Sequence, residues 1–223
     1  MMHDKGLSSQ PGPTNRFRFF FDFCSPIDIA RACNFRSAMS DDHELMRRCG
    51  EGDMTALEIL VRRWEDRVDA MCRRLVPCPS DSHDLKQDVF VRLLQASPRY
   101  DANGAFSTWL YRIVLNLARD KARRRRIRRT TPLPVCELVD RNGSPASDSQ
   151  QSEMRTIVDQ AVRDLPAELK EVVVLRHYGE MPFARIAQVL NQPASTIKSR
   201  MKTALKQLHA DLRQRGIIDG DEQ

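Results

Sequence analysis

The sequence predicts an all-α protein built from two small helical domains that are joined by a flexible linker. Apolar residues recur every three or four positions in most segments from residue 40 onward, which is the period of an amphipathic α-helix. The segment 130–152 lacks this period and is rich in Pro, Ser, Gly and Asn, as linkers are. Residues 186–208 have the pattern of an apolar helix, a three-residue turn and a second helix, which is a helix-turn-helix.

The composition favours a nucleic-acid partner and argues against membrane insertion. The 223-residue chain has a formal net charge of +6, which modestly favours polyanions, and seven of the nine residues in 121–129 are Lys or Arg. A run of about eighteen apolar residues, as a membrane span needs, is absent from the sequence. The six cysteines include no C-x-x-C pair, so we expect no metal or other cofactor. Zinc held by Cys72, Cys78 and His83 is a minor alternative.

Residues 1–39 differ from the rest of the chain. Six of the nine phenylalanines lie between Phe17 and Phe35, in a stretch without helical or strand periodicity. Asp22 interrupts the apolar run and no small-residue cleavage site follows it, so the pattern is not that of a signal peptide. We expect translation to start naturally at Met39, and the upstream residues to be a mis-called start or a disordered arm.

Three helices are predicted in the first domain, residues 40–129. The first ends before Pro77 and has one apolar stripe: Leu57, Leu60, Val61, Trp64, Val68, Met71, Cys72 and Leu75. The second is expected to begin with Ser82 as its N-cap and to bury Leu85, Val89 and Leu93. A loop at 97–105 precedes the third, which begins near Ser107 and buries Leu110, Ile113, Val114 and Leu117.

The polar faces of the second and third helices carry opposite charge. The second helix has an acidic face formed by Asp84, Gln87 and Asp88. The third has a basic stripe formed by Arg112, Asn116, Arg119 and Arg123, and the Arg-rich run 121–129 continues it. An exposed acidic face invites basic residues of a partner, although an ordinary solvated face has the same pattern.

Aromatic residues beside the basic stripe indicate a site for unpaired bases. Tyr100, Phe106, Trp109 and Tyr111 lie within twelve residues of one another. A ring can stack on any base while neighbouring cations hold the phosphates. Phe106 and Trp109 are equally well explained as core residues, so Tyr100, on the loop, is the better stacking candidate.

The second domain is predicted at residues 153–213, between the linker 130–152 and a tail at 214–223. Its helix-turn-helix ends the first helix at Asn191 and buries one stripe of the second: Ile197, Met201, Leu205 and Leu208. The opposite face carries Ser195, Lys198, Ser199, Lys202 and Lys206. These side chains can reach phosphates and base edges. A basic surface helix without a ligand is the alternative.

In this order the segments resemble bacterial RNA polymerase sigma factors of the extracytoplasmic-function (ECF) type, within the sigma-70 family. The resemblance covers about residues 42–212. It is carried by DLKQDVF (84–90), FSTWLYRIVLN (106–116), the Arg-rich run, LPAELKEVVVLRH (165–177) and STIKSRMKTAL (195–205). It implies that 40–129 is sigma region 2 and 153–213 is sigma region 4, in a cytoplasmic protein that catalyses no covalent chemistry.

The resemblance also implies protein partners. Asp84, Gln87 and Asp88 match the acidic patch with which region 2 docks on the clamp helices of the largest subunit of core RNA polymerase. Region 4 would contact the flap of the second subunit. An anti-sigma factor is a further partner that the resemblance implies.

Two sets of promoter contacts follow from the same resemblance. The minus-ten set is Tyr100, Trp109, Arg112, Asn116, Arg119, Arg123 and Arg124, in which Asn116 and the loop at Tyr100 capture a flipped base. The minus-thirty-five set is Ser195, Lys198, Ser199, Arg200 and Lys202. Family members commonly have Arg-Ala-Arg where this chain has Thr203, Ala204 and Leu205, which predicts weaker or altered minus-thirty-five binding. DNA melting then follows from sequence-selective binding of unstacked bases.

Two other classes of protein stay open on sequence grounds. A stand-alone helix-turn-helix regulator would bind duplex DNA, usually as a symmetric dimer, and would need neither the acidic face nor the aromatic loop. A metal nuclease could use Asp84, Asp88 and Asp101, but a further His or acid that would complete such a site is not evident.

Overall fold

The computed structural model describes residues 41–128 and 149–217, and the regular structure in these ranges is helical throughout. The predicted all-α class is therefore confirmed. The predictions for 1–39 and for most of the linker and tail lie outside the described residues. Among the described residues, no helix is long and apolar enough to cross a membrane. From Asp42 onward they belong to one compact unit, Asp42–Gln223.

The helices fall in two groups along the chain. The first group is α1 (41–50), α2 (Met54–Leu75), α3 (Pro79–Ala96), a 3-10 turn (Ser97–Arg99) and α4 (Phe106–Arg128). The second group is α5 (Ser149–Asp164), α6 (Ala167–His177), α7 (Phe183–Leu190) and α8 (Ala194–Gln214). Helix α5 thus begins four residues before the expected start of the second domain at 153.

Helix α2 forms the centre of the first group. Asp53 caps its N-terminus by accepting hydrogen bonds from the backbone amides of Thr55 (2.9 Å) and Ala56 (3.2 Å), as a capping carboxylate does. The helix ends at Leu75, ahead of Pro77. The centre of its predicted apolar stripe is buried: Leu60, Trp64, Val68, Met71 and Cys72.

Helix α3 begins earlier than the sequence suggested. Pro79 occupies the first turn, where its fixed φ suits a helix and its missing N–H loses no hydrogen bond. Ser82 lies inside the helix, and its hydroxyl donates to the carbonyl oxygen of Pro79 at 2.7 Å. The prediction that Ser82 is the N-cap is therefore wrong. The predicted core residues Leu85, Val89 and Leu93 are buried.

Helix α4 buries a different arc from the one that its own periodicity indicates. Leu110 and Val114 of the predicted stripe are buried, and so are Tyr111, Leu115 and Ala118 on the flank. Ile113 and Leu117 are only partly buried, so the prediction for these two residues is wrong. The reason is that α4 packs against α2 and α3 on one side and against α7 on another. The second group of helices therefore covers part of the first.

The helix-turn-helix forms as predicted. Asn191 ends α7 in the left-handed conformation (φ 52°, ψ 49°), which Asn tolerates better than most residues. In α8, Ile197, Met201 and Leu208 of the predicted stripe are buried, and so is Ala204. Leu205 is only partly buried, so the prediction that it belongs to the buried stripe is wrong. Ser195, Lys198, Ser199 and Lys202 are exposed on the other side of the helix.

Candidate polymerase and nucleic-acid interfaces

The acidic face on α3 is exposed and is tied to α4 by one lysine. Asp84, Gln87 and Asp88 are all exposed. The side chain of Asp84 is 63% accessible, and its Oδ2 lies 3.3 Å from the Nζ of Lys121. Lys121 also donates to the backbone carbonyl of Asp81 at 3.0 Å. The face is thus available to a partner. Lys121, the first residue of the basic run on α4, holds Asp84 in place.

The loop before α4 carries a half-buried tyrosine. The ring of Tyr100 makes edge contacts with Trp109 (centroids 4.9 Å apart) and Phe106 (6.1 Å), and its hydroxyl lies 2.7 Å from the Nδ1 of His43. Phe106 is fully buried, so it is a core residue. Trp109 and Tyr100 keep partial exposure, which a base-stacking role requires.

The basic stripe of α4 is divided between solvent and the second group of helices. Asn116, Arg123 and Arg124 are exposed, and Arg123 lies 3.1 Å from Asp120 one turn away. Arg112 is also exposed, but its Nη2 donates to the backbone carbonyl of Gln188 on α7 at 2.6 Å. One member of the predicted stripe is therefore already engaged by another helix.

Arg119 is engaged more strongly. Its Nε and Nη2 donate to the two carboxylate oxygens of Glu171 on α6, at 2.7 and 2.6 Å. This two-point geometry is the strongest that an arginine and a carboxylate make. Glu171 is 8% exposed, and the hydrogen bond to it raises the pKa of Arg119.

A second ionic cluster joins α2 to α5 and to the end of α6. Arg74 donates to both carboxylate oxygens of Asp159, at 2.7 and 2.8 Å, and its guanidinium carbon lies 3.7 Å from the centre of the Tyr178 ring. The Tyr178 hydroxyl donates to Asp159 at 3.2 Å. Burial raises the pKa of Tyr178 to about 12, so this donor stays protonated.

Close backbone packing completes the contact between the two groups. A Cβ on Gly179 would lie 3.0 Å from the Cε2 of Tyr111 and 2.7 Å from the carbonyl oxygen of Leu175. Only glycine allows α4 and the end of α6 to approach so closely. The contact is thus built from ion pairs at its rim and a close fit at Tyr111.

The face of α8 is open by comparison. Ser195, Lys198, Ser199 and Lys202 are exposed. Arg200 lies apart from them, because its side chain is 24% accessible and its Nη2 donates to Glu168 at 2.5 Å. Four of the five predicted minus-thirty-five residues therefore share one accessible face.

Two functionally placed residues were not predicted from the sequence. Glu171 lies in the apolar run LKEVVVL, where a charge at a buried position was a usable signal for a paired partner. His43 contacts Tyr100 from 57 residues away, and no local pattern marks it.

The metal-based alternatives lack a matching cluster. In 41–128 and 149–217, no three His, Cys, Asp or Glu side chains are grouped so that they could hold a metal ion. Cys72 is fully buried, and burial raises its pKa to about 12, so it packs as a core residue.

Comparisons with known proteins identify the class of protein that these surfaces belong to. The family Sigma-70 region 2 matches residues 60–128, and the family Sigma-70, region 4 matches residues 155–208. The first contains the acidic face and the basic stripe, and the second contains the helix-turn-helix.

Two similar proteins indicate which type of sigma factor this chain resembles. The ECF RNA polymerase sigma factor SigW of Bacillus subtilis is 27% identical over 177 residues, which cover 75% of this chain and 95% of SigW. The ECF RNA polymerase sigma-E factor of Escherichia coli is 28% identical over 169 residues, which cover 72% of this chain and 88% of that factor. This chain belongs to the ECF sigma factors of the sigma-70 family, as the sequence motifs predicted.

Solved structures agree in fold. CnrH, solved in complex with the cytosolic domain of CnrY, gives a TM-score of 0.58 at 23% identity and covers 78% of this chain and 98% of that one. The sigma factor RpoE, solved in complex with the anti-sigma factor NepR from Bartonella quintana, gives 0.59 at 18% identity, with coverage of 70% and 96%. We refer below to the two groups of helices as region 2 (α1–α4) and region 4 (α5–α8).

Proposed function

We propose that this chain binds core RNA polymerase, recognises the minus-ten and minus-thirty-five elements of a promoter, and promotes DNA melting for transcription initiation without catalysing a covalent step. The observation that carries the proposal is the separation of two exposed surfaces of opposite charge. One is the acidic face of α3 in region 2, and the other is the basic face of α8 in region 4. A regulator that only bound duplex DNA would need the second surface alone.

The acidic face is proposed to dock on the clamp helices of the largest polymerase subunit, and region 4 on the flap of the second subunit. Asp84 and Asp88 supply the charge, and exposure of the face means that docking needs no rearrangement of α3. Complementary charge speeds encounter and sets the register of such an interface.

The minus-ten set is proposed to act on single-stranded DNA. Tyr100 and Trp109 would stack on a flipped base together with Asn116, while Arg123 and Arg124 hold the nontemplate backbone. Arg112 and Arg119 belong to the same stripe but contact region 4. Their use on DNA therefore requires region 4 to leave α4. Recognition of both elements at once would then be coupled to separation of the two regions.

The minus-thirty-five set is proposed to lie in the major groove. Helix α8 presents Ser195, Lys198, Ser199 and Lys202 on one face, which is the usual geometry of a recognition helix. Arg200 is directed toward Glu168, so we assign it to phosphate rather than to a base edge.

An anti-sigma factor is proposed as a further partner, and the cytoplasm as the place of action, because core polymerase and the chromosome are there. Support for the partner comes from the fold neighbours CnrH and RpoE, which were solved with CnrY and NepR respectively. A pull-down from the native host with this chain as bait would identify the anti-sigma factor.

The test is promoter-selective run-off transcription with purified core polymerase. Wild type is compared with Asp84→Arg/Asp88→Arg and with a control of equal charge change on α2, Glu58→Arg/Asp66→Arg, whose side chains are also exposed. We expect the first variant to lose at least about 90% of selective initiation, with binding to minus-thirty-five duplex intact, and the control to remain active. Duplex binding without any initiation by the wild-type protein would instead favour a stand-alone regulator.

A further inference from the structure

Helix α1 lies outside the region 2 match and takes no part in the function proposed above, yet it is firmly packed. Leu45, Met46 and Cys49 are buried. Near its start, Asp42 is 2% exposed and accepts a hydrogen bond from the Nη1 of Arg63 on α2 at 2.6 Å. A short ion pair to a buried carboxylate restricts how one helix lies on another, so α1 has a defined position relative to α2.

The other end of α1 supports the 3-10 turn that leads to Tyr100. A Cβ on Gly50 would lie 2.8 Å from the carbonyl oxygen of Ser97 and 3.3 Å from the Cα of Pro98. The two backbones are therefore in direct contact. The turn closes with a hydrogen bond from the amide of Tyr100 to the same Ser97 carbonyl at 3.2 Å.

His43, between these two anchors, reaches the tyrosine side chain itself. Its Nδ1 and the Tyr100 hydroxyl share a hydrogen bond of 2.7 Å, and the two rings stack at 5.8 Å with 25° between their planes. Trp109 contacts the same ring edge-on at 4.9 Å. Burial raises the pKa of Tyr100 to about 12, so its hydroxyl remains a donor at neutral pH. The tyrosine ring is thus held at its hydroxyl and at two of its sides.

We propose that His43 is a positioning residue that fixes the ring of Tyr100 in the orientation in which it stacks on an unpaired base of the minus-ten strand. The proposal rests on the role given to Tyr100 in the proposed function. A tyrosine that is already held loses less conformational freedom when a base arrives, and preorganisation of this kind strengthens binding. A histidine so placed raises the rate at which the melted complex forms and leaves initial duplex binding unchanged.

The test uses the full chain with core polymerase and compares His43→Ala, Tyr100→Phe and the double variant. Abortive initiation measures the affinity of the closed complex separately from the rate of isomerisation to the open complex. We expect each single change to slow isomerisation about 3- to 10-fold at unchanged closed-complex affinity. The double variant should be no slower than either single one, because both remove the same hydrogen bond.

Two further variants separate positioning from folding. His43→Asn keeps a polar atom near the place of Nδ1 and should restore most of the rate, whereas His43→Phe keeps only the ring and should not. Thermal unfolding followed by circular dichroism checks that all variants are folded. Additive effects in the double variant, or no rescue by Asn relative to Phe, would overturn the proposal.

Templates with single abasic sites in the nontemplate minus-ten strand locate the base concerned. At the position where Tyr100→Ala ceases to matter, His43→Ala should also cease to matter. If Tyr100→Ala initiates at the wild-type rate on every template, the role of Tyr100 in the proposed function fails. If Tyr100→Ala is slow and His43→Ala is not, the positioning role alone fails.

Discussion

The two basic surfaces that are proposed to face the promoter differ in what covers them. On α8, Lys198 and Lys202 are exposed. On α4, Arg112 and Arg119 belong to an equally basic stripe, but they contact the carbonyl of Gln188 and the carboxylate of Glu171 in region 4. The surface proposed for the minus-thirty-five element is thus accessible in the compact form, whereas the surface proposed for the minus-ten element is accessible only in part.

The difference shows that the sequence of a basic helix face does not reveal whether the face binds DNA or another part of the same chain. Lysine and arginine on a helix can equally bind a phosphate or a carboxylate from the same chain. If Arg119 binds a phosphate of the nontemplate strand, as proposed above, Glu171 occupies the position of that phosphate. Region 4 would then compete with the strand for one part of α4.

The largest effect is expected on the open surface. Lys198→Ala/Lys202→Ala should weaken binding to minus-thirty-five duplex by about 2 to 3 kcal/mol, or about 30- to 150-fold, and should lower the slope of log affinity against log salt by about 2 if both lysines contact phosphate. Fluorescence anisotropy over a salt series measures both. Arg213→Ala, about 16 Å farther along α8, is the matched control and should change neither quantity.

An intermediate effect is expected at the covered surface. Arg119→Ala leaves the buried carboxylate of Glu171 unpaired and should cost about 2 kcal/mol of unfolding free energy. Glu171→Gln removes the charge that holds the half-exposed Arg119 but keeps one amide oxygen as an acceptor, so it should cost only about 1 kcal/mol. Urea denaturation measures both, with Arg112→Ala as a control that loses a single exposed hydrogen bond.

Glu171→Gln has a second consequence that tests the competition itself. Because it frees Arg119, it should increase the affinity of the protein without polymerase for single-stranded minus-ten DNA by about 3- to 10-fold. Arg119→Ala should not. Equal affinities for the two variants would mean that region 4 does not compete with DNA at this residue.

The smallest effect is expected from pH. Burial lowers the pKa of His177, and Arg74 lowers it further against the opposing charges of Asp159 and Glu180. A histidine whose pKa is lowered by folding binds protons more readily when unfolded. The contribution of neutral His177 to the free energy of unfolding is therefore complete above its pKa in the unfolded state, about 6.5. This contribution is lost as the pH falls through its lower pKa in the folded state. Urea denaturation between about pH 7.5 and 5.5 should show a loss of stability that is smaller in His177→Gln. Equal losses would assign the pH dependence to other groups.

The sequence predicted those parts of the structure that depend on local period. The stripe of α2 from Leu60 to Cys72 and the two faces of α8 follow from apolar spacing of three and four residues, because the fully buried residues of each helix lie in one stripe. Helix α4 was predicted less completely. Tyr111 and Leu115 are buried beside its predicted stripe, and α4 packs against helices of both groups. The period of one helix indicates only one buried face, so it does not show a helix that is covered on two sides.

The exposure of most candidate site residues was predicted from the sequence, but their pairing was not. All three residues of the acidic face and four of the five on α8 are exposed. Arg119 and Glu171 are 52 positions apart, and their pairing depends on how two domains meet rather than on either segment. Helix α3 begins before the predicted N-cap Ser82 because Pro79 fits a first helical turn.

The left-handed turn at Asn191 sets the orientation of α8, and so it would affect the proposed DNA contacts of that helix without contacting DNA itself. A β-branched residue at φ 52° would add about 1 to 2 kcal/mol of strain, which a small rotation of α8 relieves. Lys202 lies about 12 Å along the helix axis from the turn, so a rotation of about 10° displaces it by about 2 Å, most of the length of a hydrogen bond. In a genetic screen, substitutions at position 191 would therefore change promoter preference, and Asn191 would be mistaken for a residue that contacts DNA.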